Sequence, residues 1–270
     1  MTLVRPLWGV AALVATLSWA PSVSAQSPAA AAPRYDHLRR PLVLAPRAVT
    51  LQYGLGFAAS TVGTEDAGAG VGFNASVGLF RNFELEVGSA FRASALVPDR
   101  FVRVGREEIY QVGTSIVSNP YFVARYAFLR RRGVQVGGEL RTLIPVAAQT
   151  VVSWGAGLPI HAQFGAFRVE SGLFYQAMQS DTAPVRDVLN VPLRLWVGAG
   201  DRWMFGLLVD FARANVFHAL TSVTRVSLAL AVRYQLRAEF AVLGQLVAPA
   251  VEPFGFDSRG VAVAFESRFP

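Results

Sequence analysis

The 270-residue chain contains no cysteine, which removes disulfides, thiolate metal sites and a lipid-modified N-terminal cysteine. Lysine is missing as well, so all 25 basic side chains are arginine. Charged residues make up only 16% of the chain against 53% hydrophobic ones, a more apolar balance than water-soluble domains carry. Yet beyond residue 25 no uncharged apolar run reaches the length of about eighteen residues that a spanning helix requires. The net charge of +7 raises the question of nucleic acid, but the arginines are scattered and form no basic stripe with interleaved aromatics. Nucleic acid is therefore not an expected partner.

The N-terminus reads as an export signal over residues 1–25. Arg5 supplies the positive start, residues 6–20 are apolar, and Val23-Ser24-Ala25 is a small-residue cleavage site that would leave Gln26 first. An uncleaved membrane anchor is the alternative, and the small-residue site directly after the apolar stretch argues against it. Residues 26–46 are rich in proline and alanine, lack any strand or helix period, and read as a periplasmic linker. From residue 47 onward, in the barrel region 47–270, the period is two, with varying clarity from segment to segment. Over 48–58, Val49, Leu51, Tyr53, Leu55 and Phe57 oppose Thr50, Gln52, Gly54 and Gly56; over 83–95, Phe83, Leu85, Val87 and Phe91 oppose Glu84, Glu86, Gly88 and Arg92. The same signature recurs over 71–79, 119–129, 134–146, 158–166, 168–178, 189–197, 203–211, 226–236 and 261–269. Residues 240–250 are apolar on both faces and carry Pro249, so that strand rests on position more than on pattern.

An apolar, exported chain with strands on one period and no helical span hides its apolar side chains against lipid, one face of each strand at a time. The connections support this reading. Those at 81–82, 130–133, 167–168, 200–202 and 237–238 are tight, whereas 60–70, 96–118, 147–157, 179–188, 212–224 and 252–260 are long. Five tight and six long connections in alternation give twelve antiparallel strands, an up-and-down transmembrane β-barrel with both termini on the tight-turn, periplasmic side. An independent pattern agrees: the outward residues nearest the tight turns are aromatic, namely Phe83, Phe128, Phe164, Trp203, Tyr234, Phe240 and Phe269. Amphipathic rings gather in this way at a membrane interface. A soluble β-sandwich would alternate too, but it needs neither a one-sided aromatic girdle nor sorted connections.

At the C-terminus, Val261-Ala262-Val263-Ala264-Phe265-Glu266-Ser267-Arg268-Phe269 resembles the closing strand of Gram-negative outer-membrane β-barrel proteins, with Phe265 and Phe269 as its outward aromatics. The resemblance implies that this segment is the signal read by the barrel-assembly machinery; the added Pro270 departs from the pattern. The hairpin from Gly78 to Gly88 is similar to those of porin-like barrels. The family implies an outer-membrane location and contact with lipid and lipopolysaccharide, and it does not name a solute.

Catalytic chemistry finds little support. Of the three histidines, His37 falls in the linker, His161 on an inner face and His218 in a long connection. Some barrels of this size hydrolyse lipid with a Ser–His pair at the outer rim, and His218 with Ser222 could form one, but no orienting Asn or Asp neighbours them. No residue pattern fits a metal, cofactor or phosphate loop, and Glu107-Glu108 reads as a solvated acidic pair. Interest falls on the lumen. The register points inward Glu84, Glu86, Arg92, Arg125, Glu139, Arg141, Arg168, Glu170, Arg194, Asp210, Arg225, Arg233, Glu266 and Arg268, which is eight arginines against six acids. A near-balanced set favours Glu–Arg pairs across the wall over one dominant sign. Barrels of about eight strands are filled and those of about sixteen hold water, so twelve imply a narrow channel or one plugged by the connection 96–118 or by the linker. Passive passage of small solutes is the leading expectation; a closed structural or surface-interaction barrel with an ion-paired lumen is the alternative, and a lipid-modifying enzyme is third. If the barrel reading is right, the refolded protein will run faster on a gel unboiled than boiled; identical mobility would contradict it.

Overall fold

The computed structural model describes residues 38, 40–60, 66–92, 103–106, 109, 118–145, 151–180, 183–216, 222–251 and 258–270. Alternation becomes twelve strands: β1 (Val49–Ser60), β2 (Asp66–Phe80), β3 (Phe83–Arg92), β4 (Tyr121–Arg131), β5 (Val134–Leu143), β6 (Val151–Phe164), β7 (Phe167–Ser180), β8 (Ala183–Ala199), β9 (Trp203–Ala214), β10 (Val223–Gln235), β11 (Phe240–Ala250) and β12 (Ser258–Phe269). Each pairs antiparallel with its neighbours in sequence, and β1 closes on β12 from Val49↔Phe269 to Ser60↔Ser258. Closure matters because lipid offers no partner to an unpaired backbone N–H or C=O, so a sheet edge is not tolerated there.

Side chains sort strictly by face. In β9 the outward Trp203, Phe205, Leu207 and Phe211 are exposed while Met204, Leu208 and Asp210 are buried. The outward surface carries Tyr53, Leu55, Phe57, Phe73, Leu140, Leu158, Leu230, Leu246 and Val263, all exposed and apolar. In water such a continuous apolar band would be an aggregation surface; in a bilayer it is the solvated one. Near the tight-turn rim, Phe128, Phe164, Trp203, Phe240 and Phe269 face outward, joined by Phe80 and Phe167. Trp203 lies against Tyr234 with ring centroids 4.5 Å apart. Both β1 and β12 begin or end at this rim.

The strands run further than alternation alone predicted. β6 begins at Val151 instead of residue 158, and β8 at Ala183 instead of 189, so the connections placed at 147–157 and 179–188 are mostly strand. Only residues 181–182 separate β7 from β8, and loop length is therefore not sorted at that hairpin. The tight turn placed at 167–168 is Gly165–Ala166, where Gly165 has φ 57°, and Phe167 already belongs to β7. β5 stops at Leu143, short of residue 146, and the described part of β3 stops at Arg92, short of 95. Proline explains two breaks in the ladder. Pairing of β5 with β6 jumps from Val136↔Ile160 to Glu139↔Gly157 around Pro159, and that of β7 with β8 from Ser171↔Leu193 to Phe174↔Asn190 around Pro192. Proline has no N–H to give; Ser171 Oγ donates instead to the Pro192 carbonyl at 2.9 Å. Strand β11 is paired on both sides, from Ala241 to Ala248 with β10 and from Phe240 to Val247 with β12, and both ladders stop before Pro249.

Depth in the bilayer sets the cost of a charge on the outer face. Leu230→Arg, mid-strand and outward, is expected to lose about 2–4 kcal/mol of stability, whereas Leu236→Arg at the rim loses about 0–1 kcal/mol. Urea unfolding in lipid vesicles measures both, and equal losses would contradict the assigned depth.

Candidate functional site

The inside of the ring is not hollow. Two segments outside the strands enter it, one from each rim. From the tight-turn rim the stretch 40–44, which leads into β1, lies within the barrel, with Val43 and Leu44 fully buried. Leu44 N–H donates to Glu84 Oε2 at 2.8 Å and Leu42 N–H to Gln135 Oε1 at 2.8 Å. Arg47, with φ 70°, reverses the chain so that its N–H meets the Gly78 carbonyl at 2.7 Å. Gly78 permits this approach, because a Cβ there would stand 2.0 Å from the Ala45 carbonyl oxygen. From the opposite rim the β3–β4 connection sends residues 103–106 inward.

Glutamate 86 is the anchor of that second segment. It points inward from β3, 1% exposed, and accepts from Arg103 Nη2 at 2.8 Å, from Tyr121 OH at 3.2 Å and from Arg106 Nη1. Arg103 also donates from Nε to Tyr121 OH at 2.9 Å, with its guanidinium carbon 4.6 Å from the ring centroid. Gly88 makes room for this tyrosine: a Cβ there would meet Tyr121 OH at 2.4 Å. The segment is tied to the other walls as well. Gln52 Nε2 of β1 donates to the Val104 carbonyl at 2.9 Å, and Gly105 N–H donates to Gln245 Oε1 of β11 at 3.1 Å. Gly105 has φ 74°, a conformation that favours glycine. Val104 packs on an apolar part of the inner wall formed by Trp196, Met204, Leu208, Ala229, Ala231, Leu243 and Ala264.

One rung of charge runs across β3, β4 and β5, where Glu84, Arg125 and Glu139 are register partners. Arg125 donates to Glu84 Oε1 at 2.9 Å and, through Nε and Nη2, to Glu139 Oε2 at 2.8 and 2.7 Å. Arg141 closes on the other oxygen of Glu139 from Nε at 2.9 Å. On the far wall, Arg233 of β10 grips Glu266 of β12 with both Nη atoms, at 3.2 and 3.0 Å, across the small Ala241. Arg40 reaches the same Glu266 at 3.4 Å. Glu170 pairs with Arg168 and lies 3.8 Å from Arg194, which is 3.8 Å from Asp210. Such pairing is what makes buried charge tolerable, since an isolated ion would face a desolvation penalty of several kcal/mol.

Of the inward set read from the register, Glu84, Glu86, Arg125, Glu139, Arg141, Arg168, Arg194, Asp210, Arg233 and Glu266 are buried inside the ring, and Glu170 is half-buried. Arg225 and Arg268 are half-buried at opposite rims, and only the backbone of Arg92 is described, paired to Gly70. Arg40, Arg103 and Arg106 were missed, because they come from segments without strand pattern and meet acids far away in sequence. Phe265 and Phe269 face outward on β12. His37, Glu107, Glu108 and His218 lie outside the described residues. Ser222 Oγ accepts a hydrogen bond from Arg213 at 3.1 Å, and among the described residues no cluster of His, Asp or Glu has metal-binding spacing.

Between the two inserted segments lies a cavity of about 100 Å³. Its charged lining is Arg40, Arg106, Arg125, Arg168 and Arg194 against Glu84, Glu139, Glu170 and Glu266, five against four. Val104, Phe174, Trp196 and Leu243 give it apolar surface.

No protein-family model matches the chain, and no curated protein matches it. Solved structures do. An outer membrane channel from Pseudomonas putida F1 superposes with a TM-score of 0.59 at 9% identity, over 84% of this chain and 97% of its own. The NanC porin gives 0.57 at 10% identity, over 82% and 100%, and the KdgM porin 0.56 at 8% identity, over 82% and 99%. At such identities the likeness is one of fold: the chain has the closed antiparallel barrel of these outer-membrane channels.

Proposed function

We propose that the chain is an outer-membrane channel for passive passage of small solutes, narrow and closed at rest. One observation carries this reading. The twelve-stranded ring is wide enough to need filling, and the filling comes from two segments outside its strands, 40–44 and 103–106. A filled interior built from strand residues alone would be a fixed wall; one completed by a connection can open when that connection moves. The KdgM porin, similar in fold, has been solved in complex with disordered oligogalacturonate, which agrees with solute passage through a ring of this kind.

In this proposal residues 1–25 are a cleaved export signal, 26–46 a periplasmic linker whose end enters the lumen, and 47–270 the barrel. The tight-turn rim faces the periplasm, Phe265 and Phe269 serve the barrel-assembly machinery, and the outward surface meets lipid and lipopolysaccharide. The buried charges Glu84, Glu86, Arg125, Glu139, Arg141, Arg168, Glu170, Arg194, Asp210, Arg233 and Glu266 line the path, with Arg92, Arg225 and Arg268 nearer its mouths. The proposal assigns no catalytic role, cofactor or metal to the chain.

A second reading is favoured by the pairing itself. Every buried acid named above has an arginine within salt-bridge distance, as a permanently closed structural barrel would require. Single-channel recording separates the two. Arg103→Ala/Arg106→Ala removes both cations that hold the inserted connection to Glu86, and it is expected to raise open probability at least tenfold over the wild type. Silence from both proteins, at the level of the empty bilayer, would favour the closed barrel.

A further inference from the structure

His161 points into the cavity from β6, 3% exposed, and neither ring nitrogen has a hydrogen-bond partner among the described residues. That is costly for a buried imidazole, which carries one donor and one acceptor. Its register partner on β7 is Glu170, and Glu170 in turn faces Arg194 on β8. Arg168 and Arg40 are its other charged neighbours. The imidazole therefore sits where Arg168 of the wall and Arg40 of the inserted segment approach the same space. The other side of that space is apolar. The Trp196 ring lies over Gly206, where a Cβ would meet it at 2.5 Å, and the Phe174 ring lies over Gly157 and Gly172 at 2.2 and 2.6 Å. Glycine at these three inner positions lets both rings lie close against the wall, where they line the cavity, with the Arg141 guanidinium carbon 4.6 Å from the Phe174 ring centroid. Gly105 of the inserted connection rests on Trp196 and Leu243, each 3.5 Å from where its Cβ would be.

We propose that this cavity is a binding site for a small carboxylic acid with an apolar, ring-sized body. The carboxylate accepts hydrogen bonds from His161 and from the arginines on the same wall, and the body lies against Phe174, Trp196 and Leu243. Charge and size both limit the ligand. Arginines outnumber glutamates in the lining, five against four, so the charged wall favours an anion over a cation. A volume of about 100 Å³ is on the order of the engineered apolar cavities that accept a single benzene ring. A hydrated inorganic anion would satisfy the polar wall and leave the apolar one wet. The site rests on the channel reading, since it gives that channel a solute class, but its test does not require conductance.

Benzoate titrated calorimetrically into the refolded barrel in detergent micelles is the probe. We expect one site per barrel, with benzyl alcohol, benzylammonium and inorganic phosphate each binding at least tenfold more weakly than benzoate. His161→Ala is expected to weaken benzoate at least tenfold, His161→Gln to keep it within about threefold because the amide still donates, and Leu243→Asn to weaken it at least threefold from the apolar side. Heat-modifiable mobility verifies that each variant folds. Benzoate binding unchanged in His161→Ala, or phosphate competing as well as benzoate, would overturn the site. Conductance without benzoate binding would leave the channel standing and remove this inference; binding without conductance would do the reverse.

Discussion

Lipid accepts no charge and no unpaired backbone group, so a strand ring in a bilayer must close on itself and turn the charged side chains at membrane depth inward. That constraint governs the whole molecule. Closure of β1 on β12 removes the last edge, and strict alternation leaves the outer surface to Phe, Leu, Val, Trp and Tyr. The inside then receives carboxylates and guanidiniums in a space too small to hydrate them all. The answer is pairing along rungs, as with Glu84–Arg125–Glu139, and across a small residue, as with Arg233–Glu266 over Ala241.

Pairing within the wall alone falls short of neutrality for Glu86, and at Glu266 it is reinforced from outside the wall. Glu86 lies 3.9 Å from Arg125, which already serves Glu84 and Glu139, and its close partners are Arg103 and Arg106. Glu266 gains Arg40 beside Arg233. The two segments that fill the lumen thus bring their arginines onto buried carboxylates of the wall. Breaking a buried pair by removing one partner costs about 3–5 kcal/mol, so both insertions are held far more firmly than surface loops are. The inner wall is also divided. β3 to β8 carry most of the charge, while β9 to β12 present Met204, Leu208, Ala229, Leu243, Val247 and Ala264. A uniformly wet, charged lumen is not what the ring contains.

Strand number, antiparallel order, closure and inward register were all legible in the sequence, because a period of alternation is a local property. The ends of strands were less so. Residues 151–157 read as part of a long connection; Ser153, Gly155 and Gly157 are the inner face of β6, kept small where Arg141 and Phe174 press on it. The apolar inner face of β11, ambiguous in sequence, exists because Val104 and Trp196 pack on it in place of water. Arg40, Arg103 and Arg106 had no local signal at all. An arginine in a linker or loop looks the same whether it is solvated or meets a glutamate across the barrel. One trace was present in the apolar run Pro41-Leu42-Val43-Leu44, which is out of place in a solvated linker and is buried in the fold.

Amide hydrogen exchange on the barrel in lipid nanodiscs tests most directly whether the two non-strand segments are part of the interior. The N–H groups of Leu42, Leu44 and Gly105 donate to Gln135, Glu84 and Gln245, and the account predicts that all three exchange at least a hundredfold more slowly than unstructured peptide. Exchange at the peptide rate, with the strand amides still protected, would contradict it.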